Sequence, residues 1–451
     1  MSITPLKRVL VANRGEIALR VIRAATELGL DTVAVYSQAD RDAGHVRVAT
    51  EAVEIGPPPA PRSYLDSDAI IAAALASGCD AVHPGYGFLA ENAAFAARCA
   101  AEGLRFVGPQ PEAISLMGDK VAARETASSA GVPVVPGTPG ALGTVAEATE
   151  AAQRIGFPLL IKASAGGGGR GIRIVDRPEN LEVHLAAARN EARAAFGDDT
   201  VYLERYLAGA RHVEVQVFGD GAGVLHLFER ECSLQRKRQK LLEEALAPNL
   251  SDSLRAGLHE AAVALARAVA YEGAGTVEFL VDRTTGEFFF IEMNTRIQVE
   301  HPVTEMICGL DLVREQLRHA GGSPLSFSQA DVQPRGAAIE MRINAEDPAN
   351  GFMPCPGTIN DLDLPGGPGV RVSTPMRPGS VVPPFYDSLI AKIIVWDIDR
   401  PAALARARRA LGELRIEGIR TTAPLIRELL STPEVVDGDY DTGFVERRLG
   451  T

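Results

Sequence analysis

Short apolar runs alternate with a helical spacing through the first 110 residues. This β–α–β alternation predicts a parallel sheet. The loop at residues 13–16 enters the first helix without the G-x-G-x-x-G spacing, which argues against an NAD-binding domain. The apolar runs are residues 8–12, 32–36, 81–83 and 104–107, and the first helix covers about residues 16–28.

A different pattern, strict alternation, predicts a hairpin with strands at residues 276–282 and 288–292. With the turn centred on Thr285, Glu278 pairs with Glu292. Directly opposed like charges destabilise a sheet. A hard divalent cation between the carboxylates removes that repulsion, since Mg²⁺ takes one or two carboxylates together with phosphate oxygens.

Beyond Glu292 the alternation continues, and period two places a polar set on one face of an extended chain. Fully extended, Glu292 and Glu300 would lie roughly 26 Å apart, so the segment must bend to close one site. The ordinary alternative is a half-solvated strand of mixed charge, but such a strand gains nothing from two opposed glutamates. The polar set is Asn294, Arg296, Gln298 and Glu300.

A glycine-rich loop at residues 163–171 lies between predicted strands at residues 157–162 and 172–175. It is not a Walker A loop, which needs G-x-x-x-x-G-K-[ST] leading into a helix. Glycine backbone N–H groups can close over phosphates, and Lys162 at the strand end supplies a positive charge. The alternative is a plain hairpin tip, but four consecutive glycines leave a large conformational entropy to overcome.

Three other segments are candidates with equally ordinary alternatives. Lys120 is either a second phosphate-binding lysine or a solvated surface residue. Residues 201–207 form either a hinge that holds an adenine or a core strand. In the basic cluster at residues 232–240, Lys240 either holds a small anion beside the metal site or belongs to a solvated face.

Composition narrows the class of protein. A chain of 451 residues exceeds the size that one core supports, which predicts two or three domains. The formal net charge of −12 argues against nucleic acid as a partner. Five widely spaced cysteines without a CxxC pair indicate neither a disulfide framework nor a zinc site. No leader peptide or membrane-length apolar run is visible, so we expect a cytoplasmic protein with no membrane partner.

The glycine loop, the metal hairpin and residues 83–89 together closely resemble biotin carboxylase, of the ATP-grasp superfamily. The resemblance runs from Arg8 to Leu449, and residues 292–302 are its most specific part. It implies an α/β ATP-grasp fold with a Rossmann-like N-terminal parallel-sheet domain and a mobile glycine-rich lid. The implied domains are residues 1–115 (N-terminal domain), 116–206 (linker helices and lid) and 207–451 (ATP-grasp large domain and C-terminal domain).

The resemblance implies a two-stage ligase reaction. ATP phosphorylates bicarbonate to carboxyphosphate, which delivers CO₂ to N1′ of biotin. The implied cofactors are ATP and two Mg²⁺ or Mn²⁺ ions. The implied partners are a separate biotin carboxyl carrier protein, carboxyltransferase subunits and a second copy of the chain. No Met-Lys-Met motif occurs, so we expect no biotin attached to this chain; the transferase then chooses the acyl-CoA acceptor.

The resemblance also assigns the site residues. The implied ATP-binding residues are Lys120, Lys162, Gly167, Gly168, the backbone of Glu204 and Leu207, His212 and Gln235, and Tyr86 is expected in the same site. The metal ligands are Glu278, Glu292 and Asn294. The implied bicarbonate-binding residues are Lys240, Arg296, Gln298 and the backbone of Val299. Glu300 is the general base, and Arg342 stabilises the biotin enolate.

Four positions depart from the family pattern. Ala165 replaces a glycine, Arg238 a histidine near the nucleotide, Leu246 a proline, and Pro368 an aromatic residue at the dimer contact. The other residues expected at that contact are Arg20, Arg23, Glu27 and Arg371.

Two other functions stay open at this point. One is an ATP-grasp ligase that passes an acyl phosphate to an amine, and Arg342 with the polar set ending at Glu300 weighs against it. The other is a nucleotide-binding homologue without turnover. The presence of Glu278, Glu292 and Arg296 weighs against this second alternative.

Overall fold

The N-terminal part of the chain forms a parallel sheet. The structure, a computed structural model, describes residues 5–138, 140–164 and 172–450. The first five strands are β1 (Arg8–Val11), β2 (Asp31–Ser37), β3 (Glu51–Gly56), β4 (Ala81–His83) and β5 (Arg105–Phe106). They lie in the order β3-β2-β1-β4-β5 with every neighbouring pair parallel, which confirms the predicted arrangement.

Helix α1 (Gly15–Glu27) follows β1 and begins at the edge of the sheet where ligands bind in open parallel sheets. Asn13 Nδ2 donates to the carbonyl oxygens of Pro84 (2.7 Å) and Tyr86 (2.8 Å). This contact joins the loop before α1 to the loop after β4. The other helices of this part are α2 (Gly44–Val48), α3 (Ser67–Ala76) and α4 (Ala93–Ala101).

Two linker helices, α5 (Pro111–Gly118) and α6 (Lys120–Ser129), lead to a small antiparallel sheet. Its strands are β6 (Leu159–Ala163), β7 (Ile172–Val175) and β8 (Val201–Arg205), and its helices are α7 (Val145–Ile155) and α8 (Leu181–Phe196). The order β7-β6-β8 confirms the two strands predicted on either side of the glycine loop. The loop positions Ala165, Gly167 and Gly168 lie outside the described residues.

The rest of the chain is built on an eight-stranded antiparallel sheet. The strands are β9 (Arg211–Asp220), β10 (Val224–Arg236), β11 (Gln239–Ala245), β12 (Glu272–Val281), β13 (Phe288–Asn294), β14 (Ala337–Asn344), β15 (Glu346–Asp347), β16 (Met353–Pro354), β17 (Gly357–Thr358), β18 (Asp361–Asp363), β19 (Val370–Ser373), β20 (Val381–Val382), β21 (Leu389–Asp397) and β22 (Arg415–Glu417). The large sheet has the order β13-β12-β9-β10-β11-β14-β21-β19, and the other six strands pair two by two.

Helices pack against this sheet. The helices are α9 (Asp252–Ala268), α10 (His301–Cys308), α11 (Leu312–Ala320), α12 (Arg400–Glu413), α13 (Ala423–Leu429), α14 (Pro433–Asp437) and α15 (Phe444–Leu449). Short 3₁₀ helices occur at Gln38–Asp40, Ala60–Arg62, Pro178–Asn180, Gln329–Asp331 and Pro348–Asn350. None of the described helices is long and apolar enough to cross a membrane.

The predicted hairpin is present as β12 and β13, and Glu278 pairs with Glu292 as expected. The register shifts by one residue directly after this pair, so Phe279 lies opposite Phe290 and not opposite Ile291. The strand ends at Asn294, and the chain then bends and enters α10 at His301, with Glu300 as the N-cap residue. The required bend is therefore confirmed, and it breaks the alternation after Asn294. The predicted domain boundaries fall within α5 (residue 115) and just after β8 (residue 206), and they stay predictions.

Candidate functional site

One cavity of about 1560 Å³ lies where the N-terminal sheet, the small sheet and the large sheet meet. Most of the predicted site residues line it, although they come from distant parts of the sequence. Glu204 and Glu300 do not line it, but each is bonded to a lysine that does. The predicted residues that line it are Tyr86, Lys120, Lys162, Leu207, His212, Gln235, Lys240, Glu278, Glu292, Asn294, Arg296, Gln298, Val299 and Arg342.

At one end of the cavity, Lys162 on β6 and Lys120 at the start of α6 supply positive charge. Lys162 pairs with Glu204, and Arg124 donates to the same carboxylate. Sequence reasoning missed Arg124, whose position in α6 gives no signal of this partner on β8. Glu204 is buried, and its ion pair with Lys162 orients the lysine. The predicted contact between the Glu204 backbone and adenine stays a prediction.

The opposed glutamates of the hairpin both line the cavity; Glu278 is buried and Glu292 is partly buried. Burial opposes ionisation of Glu278, but Lys240 and His212 outweigh it and hold its pKa below the usual range. Burial and the charge of Glu278 raise the pKa of Glu292. Two opposed carboxylates without a cation split their pKa values in this way. An oxygen-rich pair that a divalent cation would let ionise together fits Mg²⁺ or Mn²⁺.

Asn294 adjoins this pair, since its Nδ2 donates to Glu278 Oε1 at 2.8 Å. Its Oδ1 accepts from Arg296 Nη2 at 3.0 Å, so it would exchange this contact to ligate a metal. His212 Nε2 lies 2.9 Å from Glu278 Oε2. The ligand atoms of His212, Glu214 and Glu278 lie within 4.8 Å of one another. Glu278 therefore contacts both Asn294 and His212 in the lining of the cavity.

Glu300 is fully buried at the N-terminus of α10. It accepts from Lys240 Nζ, and its Oε2 accepts from Arg342 Nη2 at 2.9 Å. Burial opposes ionisation, but these two cations hold the pKa of Glu300 well below its usual range. The carboxylate is therefore ionised at neutral pH, as a base that accepts a proton must be.

Lys240 contacts three carboxylates of the site. Its Nζ lies 2.6 Å from Glu214 Oε2 and 3.3 Å from Glu278 Oε1, in addition to its bond with Glu300. Arg230, also fully buried, holds the other oxygen of Glu214 at 2.6 Å. Sequence reasoning missed Glu214 and Arg230. The signal for Glu214 is the polar alternation 212, 214, 216 along the otherwise apolar strand β9.

Arg296 and Arg342 also line the cavity. Arg296 Nε donates to Glu91 Oε2 at 2.9 Å, and Gln298 Nε2 donates to Glu278 Oε1 at 2.9 Å. Arg342 bridges Glu300 and the buried Glu243 of β11. Glu91 and Glu243 were also missed, since both contacts depend on how separate parts of the chain pack together.

Glu340 is a buried carboxyl beside this group, directly opposite Glu243 in the β11–β14 pairing. Among the described residues, neither of its oxygens has a hydrogen-bond partner. Burial raises its pKa well above the usual value near 4.5, Lys392 opposes the shift, and Glu243 adds to it. At a pH between about 4.5 and the raised pKa, Glu340 is therefore protonated in the folded protein and ionised in the unfolded chain.

A neutral replacement at this position should change the pH dependence of stability. Because the folded state binds the extra proton, wild-type stability falls as pH rises from about 4.5 to the folded-state pKa. Relative to wild type, Glu340→Gln should gain up to about 1.4 kcal/mol of unfolding free energy per pH unit in that window. Urea unfolding between pH 5 and 8 measures this, and a constant difference across the range would show that Glu340 is ionised in the folded protein.

Comparison with known proteins decides the family. Profiles of the biotin carboxylase N-terminal domain, the ATP-binding domain of the carbamoyl-phosphate synthase L chain and the biotin carboxylase C-terminal domain match residues 5–114, 119–328 and 340–447. Biotin carboxylase 1 of Bacillus subtilis is 52% identical, with 98% of each chain covered. The biotin carboxylase of Haemophilus influenzae is 51% identical, with 99% of each covered. The chain belongs to the biotin carboxylase family.

Solved biotin carboxylases have the same fold. The beta-gamma-ATP complex from Campylobacter jejuni has a TM-score of 0.96 at 46% identity and covers 98% of this chain and 99% of that one. The biotin carboxylase domain dimer of Hydrogenobacter thermophilus 2-oxoglutarate carboxylase, with MgADP, ADP and bicarbonate, has a TM-score of 0.95 at 48% identity and covers 99% and 98%. The predicted fold, the enzyme class of ATP-dependent carboxylase and the use of ATP are confirmed.

Proposed function

We propose that this biotin carboxylase uses ATP to activate bicarbonate and transfers the carboxyl group to biotin held by a separate carrier protein. The observation that carries the proposal is the junction at Glu300, where a buried carboxylate touches both Lys240 and Arg342. Lys240 also lies 3.3 Å from Glu278, which is paired with Glu292. The proposed base Glu300 and the proposed metal ligands are therefore connected through Lys240.

The nucleotide is proposed to lie at the Lys120 and Lys162 end of the cavity, with Leu207, His212 and Gln235 along its length. Gly167 and Gly168 are proposed to cover its phosphates, and the backbone of Glu204 to contact adenine. Arg238, which replaces the family histidine, is exposed and lines the same cavity.

Glu278, Glu292 and Asn294 would hold two Mg²⁺ or Mn²⁺ ions. When bound, the cations would supply positive charge that neutralises the phosphates of the nucleotide. The side chains and backbone of this protein bind and deprotonate bicarbonate. Arg296, Lys240, Gln298 and the Val299 backbone bind bicarbonate, and Glu300 takes its proton as the oxygen attacks the γ-phosphate. Carboxyphosphate then breaks down to CO₂ and phosphate, and the phosphate takes the N1′ proton of biotin. Arg342 stabilises the resulting enolate, whose N1′ attacks CO₂, and Tyr86 lies in the wall of the same cavity.

The partners follow from this reaction. Carboxybiotin must move to a second site, so we propose a biotin carboxyl carrier protein and carboxyltransferase subunits as partners, and a cytoplasmic location. We also propose a homodimer like that of the Hydrogenobacter thermophilus domain. Arg23, Glu27 and Pro368 are exposed for such a contact, whereas Arg20 and Arg371 both pair with Glu305 within the chain.

Turnover assays test the proposed reaction. The purified chain should release ADP from Mg-ATP only with bicarbonate present, and free biotin at high concentration should stimulate the release. Turnover that needs bicarbonate but ignores biotin would favour an ATP-grasp ligase with another acceptor. Tight nucleotide binding without any turnover, even with added biotinylated carrier protein, would contradict catalysis.

Replacement of one metal-type carboxylate should raise the metal requirement. Glu292→Gln keeps the side-chain shape but removes one anionic ligand, so the Mg²⁺ concentration for half-maximal turnover should rise at least about 10-fold. A Mg²⁺ titration of ADP release at fixed ATP measures it. Glu244→Gln is the matched control, since Glu244 is buried and ion-paired with Arg400 away from the cavity. Equal Mg²⁺ requirements in both variants would remove Glu292 from the metal site.

A further inference from the structure

A fully buried lysine outside the cavity is bonded to the turn that carries Glu300. Lys392 on β21 is 0% exposed, and its Nζ donates to the carbonyl oxygen of Val299 at 2.7 Å. The same Nζ lies 3.0 Å from Glu16 Oε1 on helix α1. Burial of a charged pair costs desolvation energy that apolar side chains avoid, so stability alone does not account for it.

The Val299 carbonyl accepts its hydrogen bond from Lys392, a residue distant in sequence, whereas the two neighbouring carbonyls are bonded locally. The neighbouring carbonyl of Gln298 accepts from His301, and that of Glu300 accepts from Val303, both within the same segment. Val299 O belongs to the peptide unit that contains the Glu300 N–H. The bond from Lys392 therefore fixes the backbone immediately before the base.

The other member of the pair, Glu16, itself lines the cavity and contacts Tyr86 there. Glu16 Oε1 accepts a short hydrogen bond from the Tyr86 hydroxyl, and its Oε2 accepts from Ser373 Oγ at 2.9 Å. Glu16 lies on the first helix, and Tyr86 follows β4 of the same N-terminal sheet. Through Lys392, the ring of Tyr86 is thus connected to the turn before Glu300.

Sheet register brings these contacts into one row. Arg342 on β14 pairs with Lys392 on β21, which pairs in turn with Ser373 on β19. Residues directly paired across antiparallel strands project on the same face. From that row, Arg342 holds the Glu300 carboxylate, Lys392 holds the preceding carbonyl, and Ser373 holds Glu16.

We propose that Lys392 and Glu16 form a positioning pair that fixes Glu300 and Tyr86 relative to each other across the substrate site. The inference rests on the proposed function, because it takes Glu300 as the base for bicarbonate. Neither Lys392 nor Glu16 is bonded to the lysines of the nucleotide end. Loss of the pair should therefore affect bicarbonate and biotin more than ATP.

Steady-state kinetics of Lys392→Met test the proposal. A displacement of about 1 Å in a reacting group costs on the order of 100-fold, so kcat should fall 10- to 100-fold. The KM for bicarbonate should rise at least about 10-fold and the KM for Mg-ATP less than 3-fold. Lys392→Arg, which keeps the charge and donors, should recover part of the loss. Glu16→Gln should change kcat and the KM for bicarbonate in the same directions. In the double variant with Lys392→Met, each fold-change should be smaller than the product of the two single fold-changes.

Arg400→Met is the matched control. Arg400 is a largely buried cation that pairs with Glu244 and donates to the Val435 and Val436 carbonyls, away from the cavity. It should lower the melting temperature and leave both KM values within 2-fold. If Lys392→Met does not fold, Glu16→Gln against Arg400→Met supplies the comparison.

The outcomes separate the two claims. If Glu300→Gln abolishes turnover while Lys392→Met and Glu16→Gln behave like Arg400→Met, the positioning pair is disproved and the proposed function stands. If Glu300→Gln turns over like wild type, the proposed base itself is wrong, whatever Lys392 does.

Discussion

Glu300→Gln should lower bicarbonate-dependent ADP release by roughly 10²- to 10⁴-fold, the range that a general base contributes. Glutamine keeps the size of the side chain and one acceptor oxygen, so the packing at the start of α10 survives. It cannot accept the bicarbonate proton. Binding of Mg-ATP should be nearly unchanged, because the Lys120 and Lys162 end of the cavity does not contact residue 300.

The same variant also tests the charge balance around the base. Glu300 has a lowered pKa in the folded protein, so its contribution to stability is present above the usual pKa near 4.5 and is lost as pH falls through the folded-state value. Glu300→Gln should therefore be less stable than wild type at neutral pH. Glu244→Gln, another buried and ion-paired glutamate, should lose stability while keeping turnover within about 3-fold. Equal turnover in the two variants would contradict the assignment of Glu300.

The second large effect is expected for Arg342→Met. Loss of a donor to a developing anion typically costs about 10²- to 10³-fold, so biotin-stimulated ADP release should fall by that factor. Slow bicarbonate-dependent ADP release without biotin should fall less than 10-fold, because the enolate forms only in the second stage. Comparison of the two rates in one preparation separates the stages.

Removal of Arg342 should also move the pH profile. The guanidinium contributes to the low pKa of Glu300, so the acidic limb of the bicarbonate-dependent rate should shift to higher pH in Arg342→Met. Arg400→Met, with similar exposure and a similar carboxylate partner, should leave the limb in place. An equal loss in both rates with no shift would place Arg342 outside both stages and make its role structural.

Local patterns predicted the hairpin well. Strand alternation and a short turn predicted the pair of Glu278 and Glu292, because both depend on residues close in sequence, but they did not predict the register shift between Glu278 and Phe279. The same reasoning required a bend before Glu300, and the chain bends after Asn294. Four of the first five strands followed from the apolar runs in the same way, whereas β3 (Glu51–Gly56) was not predicted.

The neighbours of Glu300 depend instead on long-range register. Arg342 reaches Glu300 and Glu243 because β14 lies between β11 and β21, and no local pattern specifies that order. Lys392 reads in sequence as a charge inside an apolar strand, and its two partners appear only when three parts of the chain meet. Residue roles such as that of Arg342 came from the family resemblance, not from spacing.

The measurement that tests the central claim most directly follows oxygen from bicarbonate. If Glu300 activates bicarbonate to attack the γ-phosphate, one bicarbonate oxygen must leave in the released phosphate. With ¹⁸O-labelled bicarbonate, Mg-ATP and biotin, mass spectrometry should find one ¹⁸O in each phosphate formed by wild type. Phosphate whose added oxygen comes only from water would contradict the account, since ATP would then be hydrolysed without forming carboxyphosphate.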